Sequence, residues 1–343
     1  METMTKTPRT VSKQRLWGTV IGYGVALAAL VWVFHDINFA LLRRDVSHVN
    51  WLLAFAGVVV DIGRYVSQSV RWAFLIRPIG KISFFRSFQS LYTGIFLNLL
   101  LPLRMGEVAR AYIASQFAHT SFPSIFSSIL AEYLIDGIWL AISVGIVALC
   151  VPLPPDIANA ARILGVAVII AMALFFVFVI RSPKIKMNGK ASAMLWKPLI
   201  WVFSLIAKMR NSMQTIGRSP YFFAAIAVSS LDLLFHIVAF WIICIAYGIH
   251  IPFIVAAAIM LFVFVGLIIP NAPSNVGSFQ FLCVVGLLAF GVDKTAASGF
   301  SVLFFLLVNI PQVILGWLMF AKSGQRLYDI KEKLAALRLS MKE

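Results

Sequence analysis

Charge is what this sequence has least of. Lys, Arg, Asp and Glu together make up 12% of its 343 residues, about half the share usual in a soluble domain. Beside 61% hydrophobic residues and a mean hydropathy of +0.93, that scarcity excludes an ordinary water-soluble globular fold. Acidic residues are scarcer still, 13 against 29 basic ones. Cysteine is nearly absent. Cys150, Cys244 and Cys283 show neither paired nor metal-ligand spacing, so they read as small buried hydrophobes rather than a disulfide framework. No G-x-x-x-x-G-K-[ST] loop occurs, so nothing points to nucleotide hydrolysis.

What the sequence does have is long apolar runs. They come in blocks of roughly 18–26 residues, enough to cross about 30 Å of hydrocarbon as helix. An all-α, polytopic integral membrane protein follows. The run Leu16–Phe34 exceeds a signal-peptide core of about 7–15 residues and reads as a retained first helix. The net charge of +16 sits mainly beside these runs. Membrane orientation and anionic lipid heads account for it without nucleic acid.

The positive-inside rule orients the chain. A basic arm, 1–15, faces the cytoplasm, and spans 16–34 and 51–76 flank a mixed-charge outer segment, 35–50. Spans 123–150 and 159–180 meet outside at VPLPPDI, which has no basic residue. Segment 181–220 carries eight Lys or Arg and no acid, which places it inside. Within it, MLWKPLIWVFSLIAKM is short, apolar and proline-interrupted, and predicts a helix lying in the interface. Spans 221–247 and 298–320 follow. The tail, 321–343, carries six basic residues against three acids and ends inside. Residues 16–320 thus form one transmembrane domain.

Two segments must enter and leave on one side. In LNLLLPLRMGEVARAYI, from Leu97 to Ile113, an apolar arm stops at Pro102, and a charged helix returns from Glu107. In FIVAAAIMLFVFVGLIIPNAPSNVGSFQFLCVVGLLAF, an arm stops at Pro270 and Gly277 opens a second. Each reads as a re-entrant hairpin; two full spans apiece, eight in all, would satisfy the same parity. Each hairpin follows one span and precedes another, and the two sets point oppositely. About six spans plus two hairpins in an inverted repeat is a transporter pattern, with a substrate site near the midplane. Non-helical backbone at that depth also requires cover by protein or water.

At these motifs the chain resembles the lysylphosphatidylglycerol synthase transmembrane family, the flippase-like domain. LLLPLRMGEVARAYI resembles its proline-x-arginine-x-glycine-glutamate-x-x-arginine signature, and IIPNAPSNVGSFQFL its second, proline- and glycine-rich turn. RYVSQSVRWAFLIRP and SSILAEYLIDGI resemble its arginine-tryptophan helix end and its acidic helix. The resemblance covers about residues 50–320. It implies lipid translocation in a bacterial or archaeal cytoplasmic membrane. Two departures stand out: Ser274–Asn275 replace frequent glycines, and Gln280 replaces a frequent glutamate. Only about 20 residues follow the last span, so the family's aminoacyl-transferase activity is not expected.

Charges at membrane depth are costly and mark interiors or function. Asp61, Arg64, Gln68 and Arg71 recur at three- and four-residue steps, hence on one helical face. They either line a headgroup path or form an Asp61–Arg64 pair with Arg71 snorkelling to the interface. Arg104, Glu107 and Arg110 lie past the break, where Gly106 permits close backbone approach and a helix start favours an anion. Arginine grips phosphate bidentately, and Glu107 can orient one guanidinium while another binds. Asn271, Gly277 and Gln280 are the counterpart positions in the second turn. Glu132 and Asp136, one turn apart, either pair with Arg64 or Arg104 or act as coupling carboxylates. Asp232 and His236 read as a hydrogen-bonded pair or proton relay; with no third ligand a metal is not expected. Asn309 and Gln312 flank Pro311 and mark a kink in the last span.

Three functions fit: a translocator of phosphate-bearing lipid, a membrane enzyme acting on a lipid-linked substrate, and a subunit presenting lipid to a partner. The absence of a D-x-D or similar acidic cluster disfavours the enzyme. The expectation is a non-enzymatic translocator that uses no cofactor, binds phosphate-headed membrane lipids and binds no nucleic acid. Oligomeric state and partner proteins stay open.

Overall fold

The computed structural model describes residues 24, 27–35, 37–100, 105–150, 166, 170, 209–268 and 275–323. All regular secondary structure among them is helical. The arm 1–15, the span 159–180 apart from residues 166 and 170, the tail 321–343 beyond Ser323, and nearly all of MLWKPLIWVFSLIAKM lie outside the described residues. Residues 27–34 are helical, in keeping with the end of the expected first span.

The helices are α1 (Phe39–Ser47), α2 (Trp51–Ile76), α3 (Phe84–Leu100), α4 (Met105–Ala118), α5 (Phe122–Cys150), α6 (Pro220–Tyr247), α7 (Phe253–Gly266), α8 (Ser278–Ala289) and α9 (Lys294–Lys322). Side-chain caps start several of them. Asn38, Asn50, Ser219 and Asp293 each accept from backbone N–H groups of the first turn, which supplies partners a helix start otherwise lacks. Helix α1 is the one element the sequence reading did not anticipate. It lies in the mixed-charge segment 35–50, and packs on α9 with Leu42 against Gly299.

By length and hydropathy α5, α6 and α9 can each cross a membrane, and α1 with α2 qualifies as a pair bent by 80°. At a 1.5 Å rise per residue, 28 or 29 residues reach about 42 Å. The remaining helices are shorter. Helix α3 spans about 25 Å, α4 and α7 about 21 Å, and α8 about 18 Å, all below the roughly 30 Å hydrocarbon core.

These short helices pair as antiparallel hairpins. Arg86 of α3 lies over the Phe117 ring of α4 at 4.6 Å, while Gly94 faces Gly106. In the second pair Gly266 of α7 packs on Leu282 of α8, and Ile259 on Gly286. Residues 101–104 and 269–274 at the tips are outside the described set. A Cβ on Gly106 would collide with the Gly94 carbonyl oxygen and the Asn98 side chain, so glycine is what lets α3 and α4 approach this closely. At the start of α8, Gly277 takes φ 83°, a backbone region that disfavours side chains.

Helix α2 lies along α6, the most extensive helix pair among the described elements. Around this pair, α3 packs on α2 and on α9, and α4 on α5; α7 packs on α6 and on α5, and α8 on α9. Two main apolar cores result. One is built mostly from α6 to α9, the other mostly from α2 to α5. Helix α9 runs through Pro311 without interruption, and Asn309 donates to the Phe305 carbonyl at 2.8 Å. One turn before the proline, the Val308 carbonyl accepts the Tyr65 hydroxyl at 3.0 Å, which ties α9 to α2.

Candidate functional site

The polar face of α2 turns inward. Asp61 is 1% exposed, and its Oδ1 meets Arg64 Nε at 3.3 Å. The same oxygen meets His236 Nδ1 of α6 at 2.6 Å. Two turns on, Gln68 accepts the Tyr92 hydroxyl of α3 at 3.3 Å.

Arg71 is the centre. It is 2% exposed, and three carboxylates from two other helices surround it. Nη2 meets Glu132 Oε1 at 2.5 Å; Nη1 bonds Asp136, donates to Ser229 Oγ at 3.2 Å and lies 4.0 Å from Asp232 Oδ2. Asp232 also interacts electrostatically with Arg64.

Glu132 carries the chain onward. Its second oxygen accepts from Arg110 Nη2 of α4 at 3.0 Å, and Arg110 Nε meets Glu107 Oε2 at 2.7 Å. Glu107 in turn accepts from Asn98 of α3 at 3.5 Å. The Arg110 guanidinium also lies 5.0 Å above the Trp72 ring, a cation–π contact. Trp72 is itself fixed by donating to Ser128 Oγ at 3.1 Å. Nine of the expected site residues thus form a charged network of two ion-paired clusters, Asp61, Arg64 and His236 in one and Arg71, Glu107, Arg110, Glu132, Asp136 and Asp232 in the other, adjoining where Asp232 nears Arg64.

Three expectations are corrected by this geometry. Arg71 does not snorkel: it sits on the face toward α5 and α6, where three carboxylates outcompete a distant interface. Glu132 and Asp136 do pair with arginine, but with Arg71 and Arg110, since Arg64 is taken up by Asp61. Asp232 and His236 do not bond each other; although one turn apart on α6, each finds a closer partner on α2. Spacing on one helix cannot show such competition.

Gln280 is buried, and its Oε1 accepts from Gly277 N–H at 2.7 Å, so it closes the turn and caps α8. Neither residue joins the ion network. They lie near its α6 end instead: Phe279 stacks on Phe304, whose ring meets the His236 imidazole edge-on. Arg104 and Asn271 lie outside the described residues.

Sequence reasoning gave no role to Asn98 or Ser229 and reached Trp72 only through the arginine-tryptophan helix end; Asn98 carries a signal of its own, a lone amide in the leucine run of the first arm. The reading also expected a basic path. In the described network Arg64, Arg71 and Arg110 face Asp61, Glu107, Glu132, Asp136 and Asp232, so carboxylates outnumber guanidiniums. Most of these groups are buried; the Asp136 side chain, 43% exposed, is the most open of those paired with arginine.

Comparison with known proteins agrees with a multi-pass membrane protein. Residues 19–316 match the lysylphosphatidylglycerol synthase TM region. The chain belongs to that family. A curated relative, UPF0104 membrane protein MJ1595 of Methanocaldococcus jannaschii, is 22% identical over 315 residues. That alignment takes in 87% of this chain and 92% of the archaeal protein. No solved structure matches. In this member of the lysylphosphatidylglycerol synthase TM region family, the network residues all fall within the matched segment.

Proposed function

We propose that this chain is a membrane lipid translocator: a non-enzymatic carrier that moves phosphate-bearing lipids between leaflets. One observation carries the reading, a buried ion network joined to an arm of a broken-helix hairpin. Charged residues inside a membrane bundle mark substrate or ion paths, and discontinuous helices mark the site itself. The arms are too short to cross singly, which supports two re-entrant hairpins over eight full spans.

The packing supports the inverted repeat. Exchanging α2–α5 with α6–α9 maps each neighbour pair onto another: α2 on α3 with α6 on α7, α4 on α5 with α8 on α9, and α3 on α9 with α7 on α5. The α2–α6 pair is its own counterpart, as an axis between two halves requires. In this reading the termini face the cytoplasm of a bacterial or archaeal cell, and the two hairpins dip from opposite faces.

A phosphate needs guanidinium, and here the described guanidiniums are held by carboxylates. Translocation therefore works by exchange. As a headgroup arrives, Arg110 releases Glu107 or Glu132 and takes phosphate oxygens, which satisfy the same donors. The carboxylates hold the empty site together between cycles.

The test is leaflet exchange of a fluorescent phospholipid in vesicles containing the purified full chain. Arg104→Ala, Glu107→Ala and Arg110→Ala are each expected to slow exchange at least tenfold while the protein stays folded in detergent. Unchanged exchange in all three would remove the assigned site. Product formation from a labelled lipid-linked substrate would favour an enzyme instead.

A further inference from the structure

The ion network touches both hairpins but is out of balance. At one end Glu107 and Arg110 belong to α4. At the other, the His236 ring stacks on Phe264 of α7 at 5.4 Å and meets Phe304 of α9 at 5.7 Å. Between them, among the described residues, three guanidiniums face five carboxylates and one imidazole. Carboxylates such as Asp61, Glu132 and Asp232 are costly to hold ionised at membrane depth without full pairing, and groups so placed bind a proton or a cation.

The geometry shows room for protons. Asp61, almost wholly buried, shares Oδ1 between Arg64 and His236 while its Oδ2 has no hydrogen-bond partner. Asp232 Oδ1 has none either, and its Oδ2 is only at the edge of Arg71's reach. Arg71 is divided among Glu132, Asp136 and Asp232, and of these only Glu132 has a second guanidinium, Arg110, within ion-pair distance, so lone pairs remain that an O–H between neighbouring carboxylates would fill. A metal ion fits less well: among the described residues no three His, Cys, Asp or Glu side chains are placed to hold one.

We propose that this network is a proton-binding site, and that lipid movement by this chain is coupled to proton movement through Asp136, Asp232 and the Asp61–His236 pair. The inference rests on the translocator reading for its purpose but not for its test. Asp136 faces Arg71 from α2, Asp232 from α6 and Glu132 on its own helix. His236 faces Asp61 and, beyond it, Arg64 from α2, with Asp232 one turn earlier on α6. From α7 and α9 it meets only the rings of Phe264 and Phe304, and α7 carries no charged residue.

The coupling follows from competition for the same atoms. A carboxyl that takes a proton no longer holds its guanidinium as an ion pair, which frees that guanidinium for lipid phosphate. When the proton leaves, the carboxylate reclaims the arginine and the phosphate is expelled. Proton and phosphate therefore bind together and leave together. With one proton per lipid, a gradient of one pH unit drives a leaflet asymmetry of about tenfold, because one unit is a factor of ten in proton activity.

The experiment uses the full chain in phosphatidylcholine vesicles with a trace of fluorescent phosphatidylglycerol and a trapped pH dye. A one-unit pH gradient should drive the probe toward tenfold asymmetry with matching proton flux, and His236→Gln and Asp136→Asn should both abolish that response. Independently, difference infrared spectra of the protein between pH 5 and pH 8 should show a protonated-carboxyl band that Asp136→Asn or Asp232→Asn removes. If no probe moves yet the band behaves so, the proton site stands and the translocator reading falls. Probe movement indifferent to the pH gradient, or driven by sodium instead, would overturn the coupling. Absence of the band in wild type would overturn the site.

Discussion

Consider replacing Arg71 by methionine, which keeps length and bulk but removes the guanidinium. Glu132, Asp136 and Asp232 would then face one another with little compensation, since Arg110 reaches only one oxygen of Glu132. Removing one partner of a buried ion pair costs about 3–5 kcal/mol, because the remaining charge is left uncompensated. Arg71 serves three carboxylates at once, so Arg71→Met should fall in the upper part of that range. Unfolding in mixed detergent micelles titrated with a denaturing surfactant would measure it. A triple variant, Arg71→Met with Glu132→Gln and Asp136→Asn, removes the stranded charges and should recover at least half the loss, since contacting residues couple strongly. If Arg71→Met alone lay within about 0.5 kcal/mol of wild type, an ordinary surface value, the network would not be the buried centre described.

Two further expectations concern the scaffold. Gly106→Ala would push a methyl into the Gly94 carbonyl and the Asn98 side chain, and overpacking of this kind costs about 1–3 kcal/mol; a lowered thermal midpoint of the purified protein would register it, whereas an unchanged midpoint would mean α3 and α4 are not in this close contact. Tyr65→Phe removes the hydroxyl that bonds the Val308 carbonyl next to Pro311 and should cost about 1 kcal/mol, read by the same unfolding titration, with no loss if the tie between α2 and α9 is not made.

How much of this could be read from the residues alone varies with the physics. The hairpin was legible because Pro102 and Gly106 interrupt an apolar run, and α3 and α4 do pack antiparallel. The inward face of α2 was legible because Asp61, Arg64, Gln68 and Arg71 keep helical spacing. The Asp61–Arg64 and Glu107–Arg110 pairs, each three residues apart, were local enough to foresee. Partners across helices were not. Arg71 with Glu132, or His236 with Asp61, depends on which faces α5 and α6 turn toward α2, and no single-helix periodicity encodes that. The bond that Gln280 makes within its own turn was hidden for a related reason: which donor a buried amide meets, here the Gly277 N–H, depends on backbone geometry that spacing does not encode. Helix α1 was obscured because its mixed charge resembles a loop, while Asn38 as a cap gave the only hint.

The central claim is that lipid phosphate takes the Arg110 guanidinium from its carboxylates. Solid-state NMR of the arginine-¹⁵N-labelled protein in phospholipid bilayers, measuring ¹⁵N–³¹P dipolar coupling, addresses it directly. The account predicts a coupling at hydrogen-bonding range that disappears in Arg110→Lys. Coupling that is absent in wild type, or unchanged in the variant, would contradict it.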